Sequence, residues 1–458
     1  MKYPLVCAAA LAVALSAGQA SAADLGGNCC ADLEERIAEL EATTARKGNR
    51  KVSLTVYGQV NEAVMYWDDG SENNVYVVTN DNSRSRFGFK GDAKIQDGWK
   101  AGYVLEIGVR GANSKRFNQI DGDAVRTLDV RHSRWFLASK DYGTVSVGTT
   151  PTANEGVTEI NLAHTKDVAK YSDVEDSALG LFLRTTTGQL STGGVQWRRM
   201  IRHTGDQPGE TERRQGIWYV SPELFKGFNV EAGWSTDDYW DVGLKYKGEH
   251  AGFKLAAGIA YGQSTTEEGN DNAFVECLST GAGAASNAGN SSRADCEHGG
   301  GSISVMHEDT GLYFNLAGGW FKDNNATFDD DLIDTNADDT STFYAIEAGI
   351  QKKFMPLGAT TLFGQYYNYE GGANVRLTVA AADPIHGNPL AGDANVFSSD
   401  VKMYGGGVVQ ELESAGMLLY AYYRHYETDL VLADDNVVFQ SAPLNDLDVV
   451  VAGGLIKF

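Results

Sequence analysis

The sequence predicts an all-β fold, a transmembrane antiparallel β-barrel, and three observations point to it. From Val52 to Phe458 the chain reads as about sixteen short segments of alternating polarity, each close to the roughly nine to eleven residues that a tilted strand needs to cross a bilayer. The connectors are by turns short and long, as they are when one end of a closed barrel carries tight turns and the other carries outer loops. The chain also begins with an export signal: Lys2, an apolar stretch from Leu5 to Leu15, and the small-residue site Ala20-Ser21-Ala22.

Composition fits this reading. Of 458 residues, 42% are hydrophobic and 22% charged, which in an ordinary chain would indicate two or three soluble domains. A water-filled barrel instead shows lipid every second residue, so the mean hydropathy stays low at -0.29 and no long apolar run follows the signal. A formal net charge of -23 argues against nucleic acid as a partner, because phosphate binding needs a basic face. Cys7 leaves with the signal, so Cys29, Cys30, Cys277 and Cys296 remain in a disulfide-permissive compartment. Cys277 and Cys296 flank a Gly-, Ala- and Ser-rich stretch, and a disulfide between them is expected; the role of Cys29 and Cys30 stays open. Neither Asn28 nor Val6 is the small residue that a lipoprotein signal places before its cysteine, so no lipid anchor is expected.

Three regions follow in order. Residues 1–22 are the signal peptide. Residues 23–51 form a periplasmic N-terminal segment in which Leu33, Ile37 and Leu40, spaced by four and three, make one face of a helix between Ala31 and Ala45. So short a helix is marginal alone in water, whereas three copies would bury that seam as a small coiled coil. Residues 52–458 are the barrel. Its first strand alternates cleanly, with Val52, Leu54, Val56, Gly58 and Val60 on one face and Ser53, Thr55, Tyr57, Gln59 and Asn61 on the other. Further strands are expected near 84–95, 99–110, 128–139, 142–149, 215–221, 227–236, 240–248, 251–263, 301–308, 311–322, 342–354, 359–370, 400–412, 416–427 and 447–458. Trp99, Trp135, Trp234, Trp240, Trp320 and Phe354 sit in or near strands, many near their ends, as interfacial girdles require.

The run Tyr142-Gly143-Thr144-Val145-Ser146-Val147-Gly148 resembles the Gly-x-Val-x-x-Gly strand that precedes the pore-folded loop of general bacterial porins, and Tyr219-Val220-Ser221-Pro222 with Gly227-Phe228 resembles the turn beyond that loop. The stretch Ala31-Asp32-Leu33-Glu34-Glu35-Arg36 through Lys47 to Val52, together with the terminal Phe458, narrows the resemblance to alphaproteobacterial porins of the rhizobial type. That resemblance implies a homotrimer of sixteen-stranded barrels in the outer membrane of a Gram-negative bacterium, in contact with lipid and lipopolysaccharide. It also implies ion transport by passive diffusion of small hydrophilic solutes, an assembly signal at Phe458, and a peptidoglycan contact through Ala23-Asp24. The alternatives are a substrate-specific channel, for which Tyr367, Tyr369, Tyr420, Tyr422 and Tyr426 offer part of an aromatic ladder, and a surface adhesin on a barrel scaffold.

No His-Glu-x-x-His, Gly-x-Ser-x-Gly, phosphate-cradling loop or Cys-x-x-Cys occurs, so neither an enzyme nor a cofactor is expected. Asp334-x-Asn336-x-Asp338 lies in an acidic outer loop but lacks the turn Gly and closing Glu of a calcium loop, so no metal site is assigned. The longest connector, residues 150–214, is the candidate pore constriction. Its acids Glu155, Glu159, Asp167 and Asp173 are expected to face a basic wall of Arg84, Arg86, Lys90 and Arg134, which strand parity turns to the lumen with Arg110 and His132. Across about 8 Å, one such pair interacts by roughly 0.5 kcal/mol in water and about 2 kcal/mol at an effective dielectric of 20. Selectivity should therefore be modest, and the overall acidity favours cations.

Overall fold

The computed structural model describes residues 51–123, 127–201, 207–236, 238–265, 295–324, 338–434 and 437–458. The signal peptide, the Leu33/Ile37/Leu40 helix, Cys29, Cys30, Cys277 and most of the acidic loop lie outside the described residues.

The strands are β1 (Thr55–Asp68), β2 (Asn73–Thr79), β3 (Arg86–Gln96), β4 (Trp99–Arg110), β5 (Thr127–Ser139), β6 (Gly143–Thr150), β7 (Arg214–Val220), β8 (Phe228–Ser235), β9 (Tyr239–His250), β10 (Phe253–Ser264), β11 (Cys296–His307), β12 (Leu312–Asp323), β13 (Thr340–Met355), β14 (Gly358–Gly371), β15 (Asn374–Val379), β16 (Ala394–Leu412), β17 (Met417–Ala433), β18 (Val438–Gln440) and β19 (Leu447–Lys457). Sixteen of them form the closed antiparallel wall. The circle shuts where β1 pairs with β19, from Gln59 opposite Lys457 to Asp68 opposite Asp448. Closure leaves no edge, so every backbone group within the membrane finds a partner. The short strands β2, β15 and β18 complete the wall by pairing with β1, β16 and β17. Polar loop sequence around them hides these pairings from a period-two reading.

Alternation governs the wall as expected. On β1, Val56, Val60 and Val64 face outward and are exposed, while Gln59, Asn61, Met65 and Trp67 face the lumen and are buried. Two departures bear on the pore. The wall strand expected from residue 84 begins at Arg86, because residues 80–85 of the first outer loop (L1, residues 69–85) dip into the barrel. In β5 the register slips between the Glu106–His132 and Ile107–Val130 pairs, leaving Arg131 as an extra residue. Strict alternation would send Arg131 to lipid; the bulge turns it to the lumen, where its Nε donates to Glu106 Oε1 at 2.8 Å.

The closing seam gives Phe458 a structural role. Its amide donates to the Gly58 carbonyl at 3.0 Å, and its carbonyl accepts from the Gly58 amide at 2.9 Å. Deleting Phe458 removes both bonds and the aromatic end of the seam, so the yield of heat-modifiable barrel is expected to fall severalfold. Unchanged yield on a gel-shift assay would refute the role. Cys296, at the start of β11, is fully buried and disulfide-bonded, while its expected partner Cys277 lies outside the described residues. Closing that loop should stabilise by about 3 kcal/mol in the chain-entropy model. Non-reducing peptide mapping should recover the two cysteines joined, and free thiols at both would exclude the pairing.

Candidate functional site: the pore waist

The third outer loop (L3, residues 151–213) leaves β6 and folds back inside the barrel. It departs just after Gly148, whose φ of +127° only glycine adopts without strain, which accounts for the second glycine of that motif. Inside, L3 packs an apolar core against part of the wall. Leu179, Leu181, Leu183, Trp197 and Met200 pack with the lumen-facing Trp67, Tyr367, Val401, Met403, Tyr426 and Leu430. Burying one such side chain stabilises by about 1.5–3 kcal/mol. Strands β16, β17 and β19 are therefore covered on both faces, which explains why Leu447 to Leu455 reads as nearly continuous apolar sequence. The tyrosines offered as a ladder, Tyr367, Tyr369, Tyr420, Tyr422 and Tyr426, lie beneath this core, each no more than 4% exposed, and do not line an open path.

Polar anchors set the level of L3. Glu210 joins its two limbs, accepting from Gly156 N at 3.1 Å and Thr158 Oγ1 at 2.7 Å. The fully buried Glu347 on β13 accepts from Asn161 Nδ2 at 3.1 Å and Thr165 Oγ1 at 2.7 Å. Four consecutive carbonyls then each accept from a side chain of the wall or of L1. Asp167 O takes Asn61 Nδ2 at 3.5 Å, Val168 O takes Asn80 Nδ2 at 3.0 Å, Ala169 O takes Gln365 Nε2 at 2.6 Å, and Lys170 O takes Arg424 Nη2. On the return limb, Pro208 and Gly209 press against Gly319 and Gly300; a Cβ at Gly319 would collide with the Pro208 carbonyl and one at Gly300 with the Thr158 side chain. The glycine-rich runs of β11 and β12 thus mark a seat for L3.

The rest of the lumen is polar. Asp81, Arg84, Lys115, Glu159 and Asp173 line its outer compartment, and Tyr57, Gln59, Glu106 and Lys457 line its inner one. Arg86, Arg131, His132, Glu155 and Arg213 border both compartments and so form the waist between them. Of the basic residues expected here, Arg84 and Arg86 line the path. Lys90 instead sits over the Tyr57 ring at 5.0 Å and Arg134 over the Trp218 ring at 5.2 Å, and neither lines the two compartments. All four expected acids line the path, with Glu155 at the waist. Their nearest cations, however, are mostly not the β3 and β5 arginines. Lys170 Nζ lies 2.8 Å from Glu159 and 3.0 Å from Asp173, Lys457 Nζ lies 2.7 Å from Asp167, and Arg213 pairs with Glu155. Arg84 is itself held by Asp129 at 2.9 Å.

A profile of the Gram-negative porin family matches residues 8–430. The chain belongs to the Gram-negative porin family. It is an outer-membrane channel. Among solved structures, this porin is similar to the anion-selective porin from Comamonas acidovorans, with 15% identity and a TM-score of 0.51 over 89% of this chain and 100% of that one. Also similar are OmpT of Vibrio cholerae, with 10% identity and a TM-score of 0.48 over 90% and 99% of the chains, and Salmonella typhi OmpF in complex with daunomycin, with 15% identity and a TM-score of 0.45 over 89% and 98%. At these identities the likeness is one of fold. No curated protein sequence matches the chain.

The acids of L3 differ in proton affinity. Burial pushes the Glu159 carboxyl up, Lys170 opposes, and Asp173 adds to the rise, leaving Glu159 above the ordinary glutamate value. Burial and then Asp173 raise Asp176 well above the aspartate value. Burial alone would also raise Asp173, but Lys170 and Lys115 outweigh it and hold Asp173 below the usual range. Raised carboxyls favour the folded loop below their folded pKa and cease to do so as pH rises through it, while depressed Asp173 contributes at higher pH and is lost as pH falls. Acidification is therefore expected to protonate Glu159 and Asp176 first. The cation-to-anion permeability ratio should start to fall while ordinary carboxylates, with pKa values near about 4, are still ionised. Glu159→Gln should remove part of that early fall, and a flat ratio down to about pH 4 would contradict the assignment.

Proposed function

We propose that this porin is a homotrimeric, passive diffusion channel of the alphaproteobacterial, rhizobial type, whose waist sorts small hydrophilic solutes and ions by size and by a transverse field. What supports the field is that Arg84, Arg86, Arg131 and Arg213 line one path together with the L3 acids Glu159, Asp167 and Asp173. The L3 lysines shorten that field, because Lys170 neutralises two of the acids locally. The substrate-specific reading loses its main support once the five tyrosines are covered by L3. The outward aromatics, such as Tyr344 beside Tyr366 at 5.9 Å, suit contact with lipid and lipopolysaccharide at the membrane surface. The trimer and the peptidoglycan contact rest on the N-terminal segment and on the family resemblance.

Single-channel recording in a planar bilayer tests the channel reading. The purified porin should give stepwise conductance that scales with salt concentration, whereas insertion without conductance would overturn it. Crosslinking in outer-membrane fragments should stop at three copies, and muramidase digestion should release the N-terminal peptide with peptidoglycan fragments attached.

A further inference from the structure

We propose that the waist holds a binding site for small oxyanions, built on Arg131 with Arg86 and Arg213, so that carboxylate- or phosphate-bearing solutes dwell there. This rests on the channel reading above and names a ligand class for it. The overall charge of -23 points the other way, but it is summed over the whole chain, signal and loops included, and exposed charges are screened within about 8 Å at physiological salt. The charge an ion meets at the waist is local.

Guanidinium groups crowd the waist. Three arginines, Arg86, Arg131 and Arg213, converge with two carboxylates, Glu106 and Glu155. Glu106 is already engaged: it accepts from Arg131 Nε at 2.8 Å and from the Tyr57 hydroxyl at 3.0 Å, and lies 3.9 Å from Arg86 Nη1. Glu155 is paired with Arg213. Donors are left over. Arg131 uses only Nε, and its two terminal nitrogens have no partner among the described residues while the side chain borders both compartments. A guanidinium presents its terminal nitrogens as a planar fork that matches carboxylate or phosphate oxygens two at a time. Arg86 is steadied by Ser83, whose Oγ accepts from Nη2 at 2.8 Å, and so stands beside the fork without being consumed by it. The β5 bulge creates this arrangement, since it alone turns Arg131 inward next to His132.

The test uses the full-length porin in planar bilayers with potassium chloride, adding inorganic phosphate or succinate at constant ionic strength. Reversible block of the open-channel current at millimolar concentration is expected with either probe. Arg131→Gln should raise the half-blocking concentration at least tenfold, Arg86→Gln should raise it less, and Glu155→Gln should lower it. Lys254→Gln, a charge removed at the short-turn rim, should leave it unchanged. If neither oxyanion blocks the wild-type channel beyond an equal ionic strength of chloride, the site does not exist. The same conclusion follows if Arg131→Gln, inserted and conducting, is blocked as the parent is. Should Arg131→Gln fail to assemble, wild-type block together with the Arg86→Gln and Glu155→Gln shifts decides the question. Absence of any wild-type conductance would overturn the channel reading itself and is distinguishable from loss of block.

Discussion

A porin carrying Arg84→Gln, Arg86→Gln and Arg134→Gln is expected to favour cations over anions by roughly two- to thirtyfold more than the parent, the range that 0.5–2 kcal/mol implies. The three positions should contribute unequally. Arg84 is compensated by Asp129 at 2.9 Å and Asp81 at 3.6 Å, and Arg134 rests on Trp218, so Arg86, which shares Glu106 with Arg131, should account for most of the change. The complementary variant, with Glu155, Glu159, Asp167 and Asp173 changed to their amides, should move selectivity toward anions. Its shift should be smaller than a bare count of charges implies, because Lys170 and Lys457 already neutralise three of the acids. Reversal potentials in a salt gradient measure both. If each variant matches the parent, the waist lies elsewhere and the placement of L3 in the conducting path is wrong.

The second large effect concerns the seat of L3. Arg424 is fully buried on the lumen face of β17, donating to Ser177 Oγ at 3.0 Å, Gln365 Oε1 at 3.0 Å and the Lys170 carbonyl. Arg424→Ala leaves those acceptors buried without their donor. Loss of charged hydrogen bonds and the stranded acceptors should together cost about 3 kcal/mol. Glu347→Ala should act similarly, since it frees Asn161 and Thr165 of L3 together with Asn315 and Gln365 of the wall. The expected readouts are a lower midpoint for loss of heat-resistant barrel and noisier, larger single-channel currents as L3 leaves its seat. Gly319→Val, which forces the Pro208 backbone off the wall, should reproduce the current noise without removing any hydrogen bond. Quiet channels of parental conductance in all three variants would show that the apolar core alone holds the loop.

Nearly all of the wall was legible in the chain. Alternation along β1, β4, β9 or β12 is imposed by two solvents on opposite faces, and a period of two is a local property that any stretch of sequence displays. That the longest connector packs against lumen-facing side chains follows from its length, because sixty-odd residues between two strands of a tight barrel have few places to go. Its seat was not read, although a signal was present: from Leu418 through Leu432, and again from Leu447 to Leu455, lumen positions are as apolar as lipid positions, so something other than water had to cover them. The candidate site was read in part. Arg84, Arg86 and the four acids reach the path by parity and loop assignment, while Arg131 was invisible because a one-residue bulge reverses the face of every position read by alternation.

The sequence by itself therefore determined the barrel and its strand number, since both follow from periodicity and length within a few consecutive residues. Only the tertiary structure decided which charges meet. Pairing Glu159 with Lys170, Asp167 with Lys457 and Glu106 with Arg131 depends on a bulge in β5, an inward dip of L1 and a run of four anchored carbonyls in L3. Coulomb energy falls with distance between side chains brought together by folding, and distance along the chain carries no record of it.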